Sequence, residues 1–160
     1  MELNTKARYA VMAMADLAKS VGQGHGSQGA AVPLSAIAER QNLSVAYLEQ
    51  IFLRLRRAGL VESARGRAGG YVLARPARDI AIAEIMQAVH EETRMTRCLD
   101  ADVGCLGEQR CLTHDLWHAL GGHIAAFLAN VTLQEVLDGI PAEKLAAHAR
   151  AKEVKELAVG

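Results

Sequence analysis

The sequence predicts a mainly α-helical fold carrying one small β-hairpin, and three observations predict it. About half of the 160 residues are apolar but only 4% are aromatic, so Ala, Leu and Val must build the core, a mix that favours helix over sheet. Apolar residues recur at three- and four-residue steps over residues 4–21, 45–60, 82–89 and 116–128. Short extended runs punctuated by glycine are confined to "VESARGRAGGYVLARP", which reads as two strands and a tip. The length suits one substantial domain, or a small domain with an appended element.

The first helix starts at Asn4, with Asn4 or Thr5 as its cap, and turns Ala10, Val11, Met14, Leu17, Ala18 and Val21 inward. It ends in the glycine-rich loop "GQGHGSQGA". Pro33 opens a second, short helix, "PLSAIAERQ", with Leu34, Ile37 and Ala38 on one face. After "NLS" a third begins, "VAYLEQIFLRLRRAGL"; Ser44 is placed to cap it and Gly59 to end it. Two helices joined by a short turn, the second one basic, form a helix-turn-helix. Val61 and Tyr71–Leu73 then give two strands around the tip "RGRAGG", which completes a winged helix-turn-helix.

Such a fold places its third helix in the major groove of double-stranded DNA and its wing over the adjacent minor groove or backbone. Ser44, Tyr47 and Gln50 lie on the early part of that helix, where side chains reach base edges; Gln can pair twice with adenine. Glu49 repels phosphate but can accept a bond from cytosine N4, so it discriminates rather than adds affinity. Arg54, Arg56 and Arg57 suit phosphates, and Arg65 and Arg67 at the tip suit the minor groove. Charge is distributed accordingly. Residues 1–75 carry ten Lys/Arg against five Asp/Glu, and residues 76–160 carry eight against thirteen. One half is built to meet a polyanion.

The C-terminal half starts with an amphipathic helix, "RDIAIAEIMQAVHEE", that turns Ile82, Ile85, Met86 and Val89 inward and puts His90 near its end. A long helix follows, "HDLWHALGGHIAAFLAN", whose apolar face is Leu116, Leu120, Ile124, Phe127 and Leu128, widened by Trp117 and Ala125. A small winged domain has too little surface to bury that face, so a second copy is expected to cover it. The result is a two-fold dimer suited to a pseudo-palindromic operator. "TLQE" is a capping box that starts one more helix, "LQEVLDGI". The tail 141–160 reads as a frayed helix or disordered. The organisation is therefore a winged domain over 1–78, a connecting helix over 79–97, a ligand loop over 98–114, a dimerisation helix with a short follower over 115–140, and the tail.

No targeting or spanning segment is expected. Lys6, Arg8, Asp16 and Lys19 interrupt the N-terminal stretch, and the uncharged run 116–134 contains His118, His123, Asn130 and two glycines. A cytoplasmic protein without a membrane partner follows, and in that compartment thiols stay reduced.

All three cysteines fall within "CLDADVGCLGEQRCLTH": Cys98, six residues, Cys105, five residues, Cys111, two residues, His114. Three thiolates and an imidazole make a complete four-ligand set, and an odd cysteine count argues against a disulfide framework. Cys111 and His114, three apart, face the same way at a helix start. A Cys₃His zinc site is chemically acceptable, although structural zinc sites usually show paired short spacings. An iron–sulfur cluster needs a larger cage, which loops of five and six residues suit. A cysteine nucleophile with His114 as base lacks any accompanying oxyanion site, so an enzyme is not expected.

The pieces "LNTKARYAVMAMADLA", "LSVAYLEQIFLRLRRAGLVESARG", "GGYVLARP" and "CLTHDLWHAL", in this order, resemble the IscR-type iron–sulfur cluster regulators, a family of bacterial winged-helix transcription factors. The resemblance covers residues 1–139. It implies a homodimeric DNA-binding regulator holding a [2Fe–2S] cluster, which controls genes of cluster biogenesis or iron handling. The ligands implied are Cys98, Cys105, Cys111 and His114, and the DNA contacts Ser44, Tyr47, Glu49, Gln50 and Arg65. Three positions depart from the family's pattern. The first ligand gap is six residues rather than five, Ala46 stands where a second serine is common, and the wing tip is "RGRAGG" rather than proline- and glycine-rich.

Overall fold

A computed structural model describes residues 5–22, 31–66, 69–89 and 110–145. Helix α1 (Thr5–Gly22) is followed by α2 (Leu34–Gln41) and α3 (Val45–Arg57), then by β1 (Val61–Ala64) and β2 (Gly70–Leu73). A 3₁₀ turn at Ala77–Asp79 leads into α4 (Ile82–Ala88); α5 (His114–Asn130) and α6 (Leu133–Asp138) follow. Fold class is as the periodicities require, mainly helical with one antiparallel hairpin in the register Val61↔Leu73 to Ala64↔Gly70.

Local chemistry sets most of the boundaries. Pro33 is the N-cap of α2, and Asn42, at φ 52°, ends that helix in the left-handed region that Asn tolerates. Ser44 caps α3, its Oγ accepting from the Tyr47 N–H at 3.4 Å. Gly59, at φ 70°, turns the chain out of α3 toward β1. Thr132 and Glu135 form the reciprocal capping box at the start of α6, with the Thr132 N–H donating to Glu135 at 2.9 Å and the Glu135 N–H to Thr132 Oγ1 at 3.2 Å.

One expected helix starts late. Residues 78–81 do not continue into α4, because Ile80 and Ala81 are extended and pair with the strand-like segment before α6. The Ile82 N–H donates to the Val131 carbonyl at 2.9 Å and the Leu133 N–H to the Ile80 carbonyl at 2.8 Å. His90, at the end of the same expected helix, lies outside the described residues, as do the Asn4 cap and residues 146–160. Residues 142–145 are helical, and Lys144 anchors that turn by donating to the Asn130 carbonyl and to Glu135.

Met14 and Leu17 of α1, Ile37 of α2, and Leu48, Ile51, Phe52 and Leu55 of α3 make one core with Leu60 and Val61. Ile80, Ile85, Val89, Val131 and Leu133 belong to that same core, so it runs past the hairpin and includes the elements on both sides of the cysteine segment. Phe52 also meets Tyr71 edge-on at 4.8 Å, which seats the wing on α3. Beneath α1, the Asp16 carboxylate is buried and accepts from Arg40 Nε at 3.0 Å and Gln41 Nε2 at 2.7 Å, fixing the end of α2 against α1. Among the described residues no helix is long and apolar enough to cross a membrane.

Candidate nucleic-acid interface and ligand loop

The face of α3 turned away from the core carries Ala46, Glu49, Gln50, Leu53, Arg56 and Arg57, all exposed. The helix is strongly two-sided because Leu48, Ile51, Phe52 and Leu55 recur at three- and four-residue steps on the other side. Ser44 is exposed at the entry to the helix. Tyr47 is half-buried, its ring held edge-on against Tyr9 at 6.0 Å. The Arg8 guanidinium lies over the Tyr9 ring, 5.5 Å from its centroid, and is exposed. That brings a cation from α1 beside the start of α3, a neighbour that sequence spacing did not reveal. Its one sequence signal is the Lys6/Arg8 pair in the first turns of α1.

The other arginines have distinct partners. Arg56 Nη1 donates to Ser63 Oγ at 3.3 Å, tying the end of α3 to β1. Arg54, expected to face phosphate, is half-buried and its Nη1 donates to the Val89 carbonyl at 3.2 Å. Arg65 is exposed at the wing tip, next to Gly66 at φ 113°. Arg67 lies outside the described residues. At the base of the wing Gly70 passes so close to Val32 and Pro33 that a Cβ there would overlap the Val32 carbonyl. The Val32–Tyr71 bridge, with N–H···O distances of 2.9 Å in both directions, depends on this approach.

Of the four proposed ligands, Cys98 and Cys105 lie outside the described residues. Cys111 sits in the turn that starts α5, half-buried, its Sγ 3.5 Å from Thr113 Oγ1. The His114 N–H donates to the Cys111 carbonyl at 3.0 Å, so the two residues are joined by one turn of backbone. His114 is buried as the first residue of α5, and its ring stacks on His118 with centroids 6.0 Å apart. Among the described residues no three ligand-type side chains converge on one point. The donors that are described, a thiol and an imidazole at the same helix start, fit a soft metal centre, whether iron–sulfur or zinc.

Beyond its first residue α5 is largely uncovered. Leu112 is fully exposed, and Leu116, Trp117 and Leu120 leave 61%, 36% and 37% of their surface in solvent. The other end differs: Phe127 and Leu128 pack against the core and Ile124 is half-buried.

A helix-turn-helix whose second member presents polar and basic side chains, followed by an arginine-tipped wing, defines a winged-helix DNA-binding protein. The model of the Rrf2 family, described as an iron-dependent transcriptional regulator, matches residues 3–139, and the chain belongs to that family. It is 50% identical over 138 residues to an HTH-type transcriptional regulator of Neisseria meningitidis, spanning 86% of this chain and 88% of that one. It is 49% identical over 137 residues to the transcriptional regulator IscR of Photobacterium profundum, spanning 86% and 76%. Among solved structures, IscR of T. potens superposes with a TM-score of 0.69 at 37% identity, covering 89% of this chain and 90% of that one. CymR, the global cysteine regulator of B. subtilis, gives 0.71 at 30% identity, covering 88% and 99%. These relatives regulate transcription; they are not enzymes.

Proposed function

We propose that this regulator is a homodimer whose affinity for a pseudo-palindromic operator is coupled to a [2Fe–2S] cluster held by Cys98, Cys105, Cys111 and His114, and that it controls genes of iron–sulfur cluster biogenesis or iron handling. One observation carries the reading. Cys111 and the buried His114 sit together at the start of the largely uncovered α5, and Val89, the last described residue before the ligand segment, belongs to the core. A ligand centre there lies between the DNA-reading body and the helix offered to a second copy. The family's description as iron-dependent supports iron over zinc.

In this reading Gln50 and Glu49 inspect base edges, Ser44 and Tyr47 fix the entry of α3, and Arg8, Arg56, Arg57, Arg65 and Arg67 neutralise phosphate or probe the minor groove. Leu116 and Leu120, extended by Leu112 and Trp117, meet the second copy, with Ile124, Phe127 and Leu128 joining that face to the core. When bound, a cluster supplies a redox-sensitive crosslink among the loop thiolates and His114. Any effect on DNA must then come from a difference in how well the two arrangements of the dimer bind it.

Anaerobic purification followed by visible absorbance with iron, sulfide and zinc analysis tests the centre. Two irons and two sulfides per chain are expected, lost with their absorbance in His114→Ala. A colourless zinc protein overturns the sensing reading and leaves a zinc-stabilised DNA-binding protein. Light scattering of Leu116→Asp/Leu120→Asp tests the dimer: a wild-type mass in that variant refutes the assignment of this face.

A further inference from the structure

The outward face of α3 carries exposed apolar side chains, Leu53 the largest of them, that neither hydrogen-bonded readout nor phosphate contact explains. Ala46, Gln50, Leu53 and Arg57 follow one another at four-, three- and four-residue steps and so form a single line along the helix, opposite the buried Leu48, Ile51, Phe52 and Leu55. Leu53 leaves 44% of its surface in solvent in the middle of that line, directly between Gln50 and Arg57. In a groove it must displace water. Pressed against phosphate, an isobutyl group removes hydration and returns no hydrogen bond. The apolar feature of the major-groove edge is the C5-methyl of thymine.

We infer that Leu53, together with Ala46 on the other side of Gln50, is a specificity-determining contact that reads thymine methyls. The inference rests on α3 being the DNA-reading helix. At 1.5 Å of rise per residue, Leu53 lies about 4.5 Å beyond Gln50 along the axis, and Ala46 about 6 Å before it. Base pairs are spaced by about 3.4 Å, so each apolar side chain falls roughly one to two base pairs from the position Gln50 inspects. Leucine reaches farther than alanine and covers more of a methyl, so the demand for thymine is strongest on the Leu53 side. A recognition helix that alternates methyl, amide, isobutyl and guanidinium selects A·T-rich half-sites by two independent chemistries. The amide asks for adenine by hydrogen bonding, and the aliphatic groups ask for thymine by burial.

The full-length protein first selects its operator from random-sequence duplexes. Each thymine of that operator is then replaced singly by deoxyuridine, which deletes the methyl and keeps every hydrogen-bonding group. At least one replacement per half-site is expected to weaken wild-type binding about fourfold, the equivalent of burying one carbon-sized apolar group (~0.8 kcal/mol). That penalty disappears in Leu53→Ser and persists in Leu53→Met. Equal deoxyuridine penalties in wild type and Leu53→Ser, or no penalty at any thymine, overturn the inference. Adenine discrimination lost in Gln50→Ala is the separate readout: if it too is unaffected, the assignment of α3 itself fails.

Discussion

Arg54 separates two roles that an arginine on a DNA-reading helix can play, and its replacement by alanine distinguishes them. The guanidinium donates to the carbonyl of Val89, a residue with no exposed surface at the end of α4. Deleting it leaves that carbonyl without this charged donor, a loss that runs from about 1.5 to 3 kcal/mol for bonds to charged groups. Because Arg54 is only half-buried, water recovers part of this, and about 1.5 kcal/mol is expected. For a chain of this size that lowers the melting temperature by roughly 3–6 °C. A phosphate contact has a different signature: its loss reduces the slope of log K against log salt by about 0.9 per contact, or ~1.8 for two half-sites. Thermal melting and fluorescence anisotropy on an operator duplex, at salt concentrations from ~50 to ~200 mM, read both quantities. Arg54→Ala is expected to lower the melting temperature and keep the slope. Arg57→Ala, on the outward line of α3, is expected to lower the slope and keep the melting temperature. A reduced slope with unchanged stability in Arg54→Ala refutes the tether.

Three further predictions concern the frame that holds α3. Burial raises the Asp16 pKa, but the bonds from Arg40 and Gln41 outweigh it and the net displacement is downward from 3.8, so the stability Asp16 contributes is present above about pH 4 and is lost as pH falls below it; urea midpoints of wild type and Asp16→Asn should converge only in that acid range, and a constant difference down to the lowest pH at which both fold refutes the linkage. Gly70→Ala forces Val32 and β2 apart and should cost about 1–3 kcal/mol in chemical denaturation, whereas an unchanged midpoint shows that the wing does not need this close approach. Ser44→Ala should lose about 1 kcal/mol as its cap to the Tyr47 N–H disappears, and Ser44→Asp should restore stability without restoring operator affinity; recovery of both refutes a separate DNA contact by this hydroxyl.

What the sequence made legible follows from the range of the chemistry involved. The cap at Ser44, the stop at Gly59 and the capping box of Thr132 and Glu135 are each written within a few residues, and each stands where spacing put it. Periodicity likewise sorted Gln50 and Leu48 onto opposite faces of α3. What escaped depends on partners far along the chain. Ile80 and Ala81 carry a helical pattern, yet they extend because Val131–Leu133, some fifty residues later, exchanges hydrogen bonds with Ile80 and Ile82 on either side of Ala81. Arg54 and Arg57 look equivalent in sequence and differ only because the end of α4 packs beside one of them. Arg40 looks like one more surface charge until Asp16, 24 residues earlier, is found buried beneath it.

These long-range contacts bear on how a ligand loop can influence a DNA-reading helix. The described structure stops at Val89 before Cys98 and Cys105 and resumes at residue 110, and both of these flanks are held by the same body. On one side, Val89 is buried and bonded to Arg54 of α3. On the other, Phe127 and Leu128 of α5 pack on the core, and the Val131–Leu133 segment that follows pairs with Ile80 and Ala81. On the proposed coupling, a change in the loop has two routes outward. One runs through Val89 and Arg54 and shifts α3 within a single protomer. The other, in the proposed dimer, runs through His114 along α5 and shifts one protomer against its partner. The first leaves the spacing of half-sites unchanged and alters the fit of each; the second alters the spacing. Because the winged body packs as one continuous core, it resists internal bending. Along α5, His114 and Gly121 are buried and Phe127 and Leu128 pack on the core, while the exposed Leu116, Trp117 and Leu120 give it little hold on its own body. In the proposed dimer the weaker constraint yields first, so movement between protomers is the larger expected response, with the Arg54 tether keeping α3 rigid.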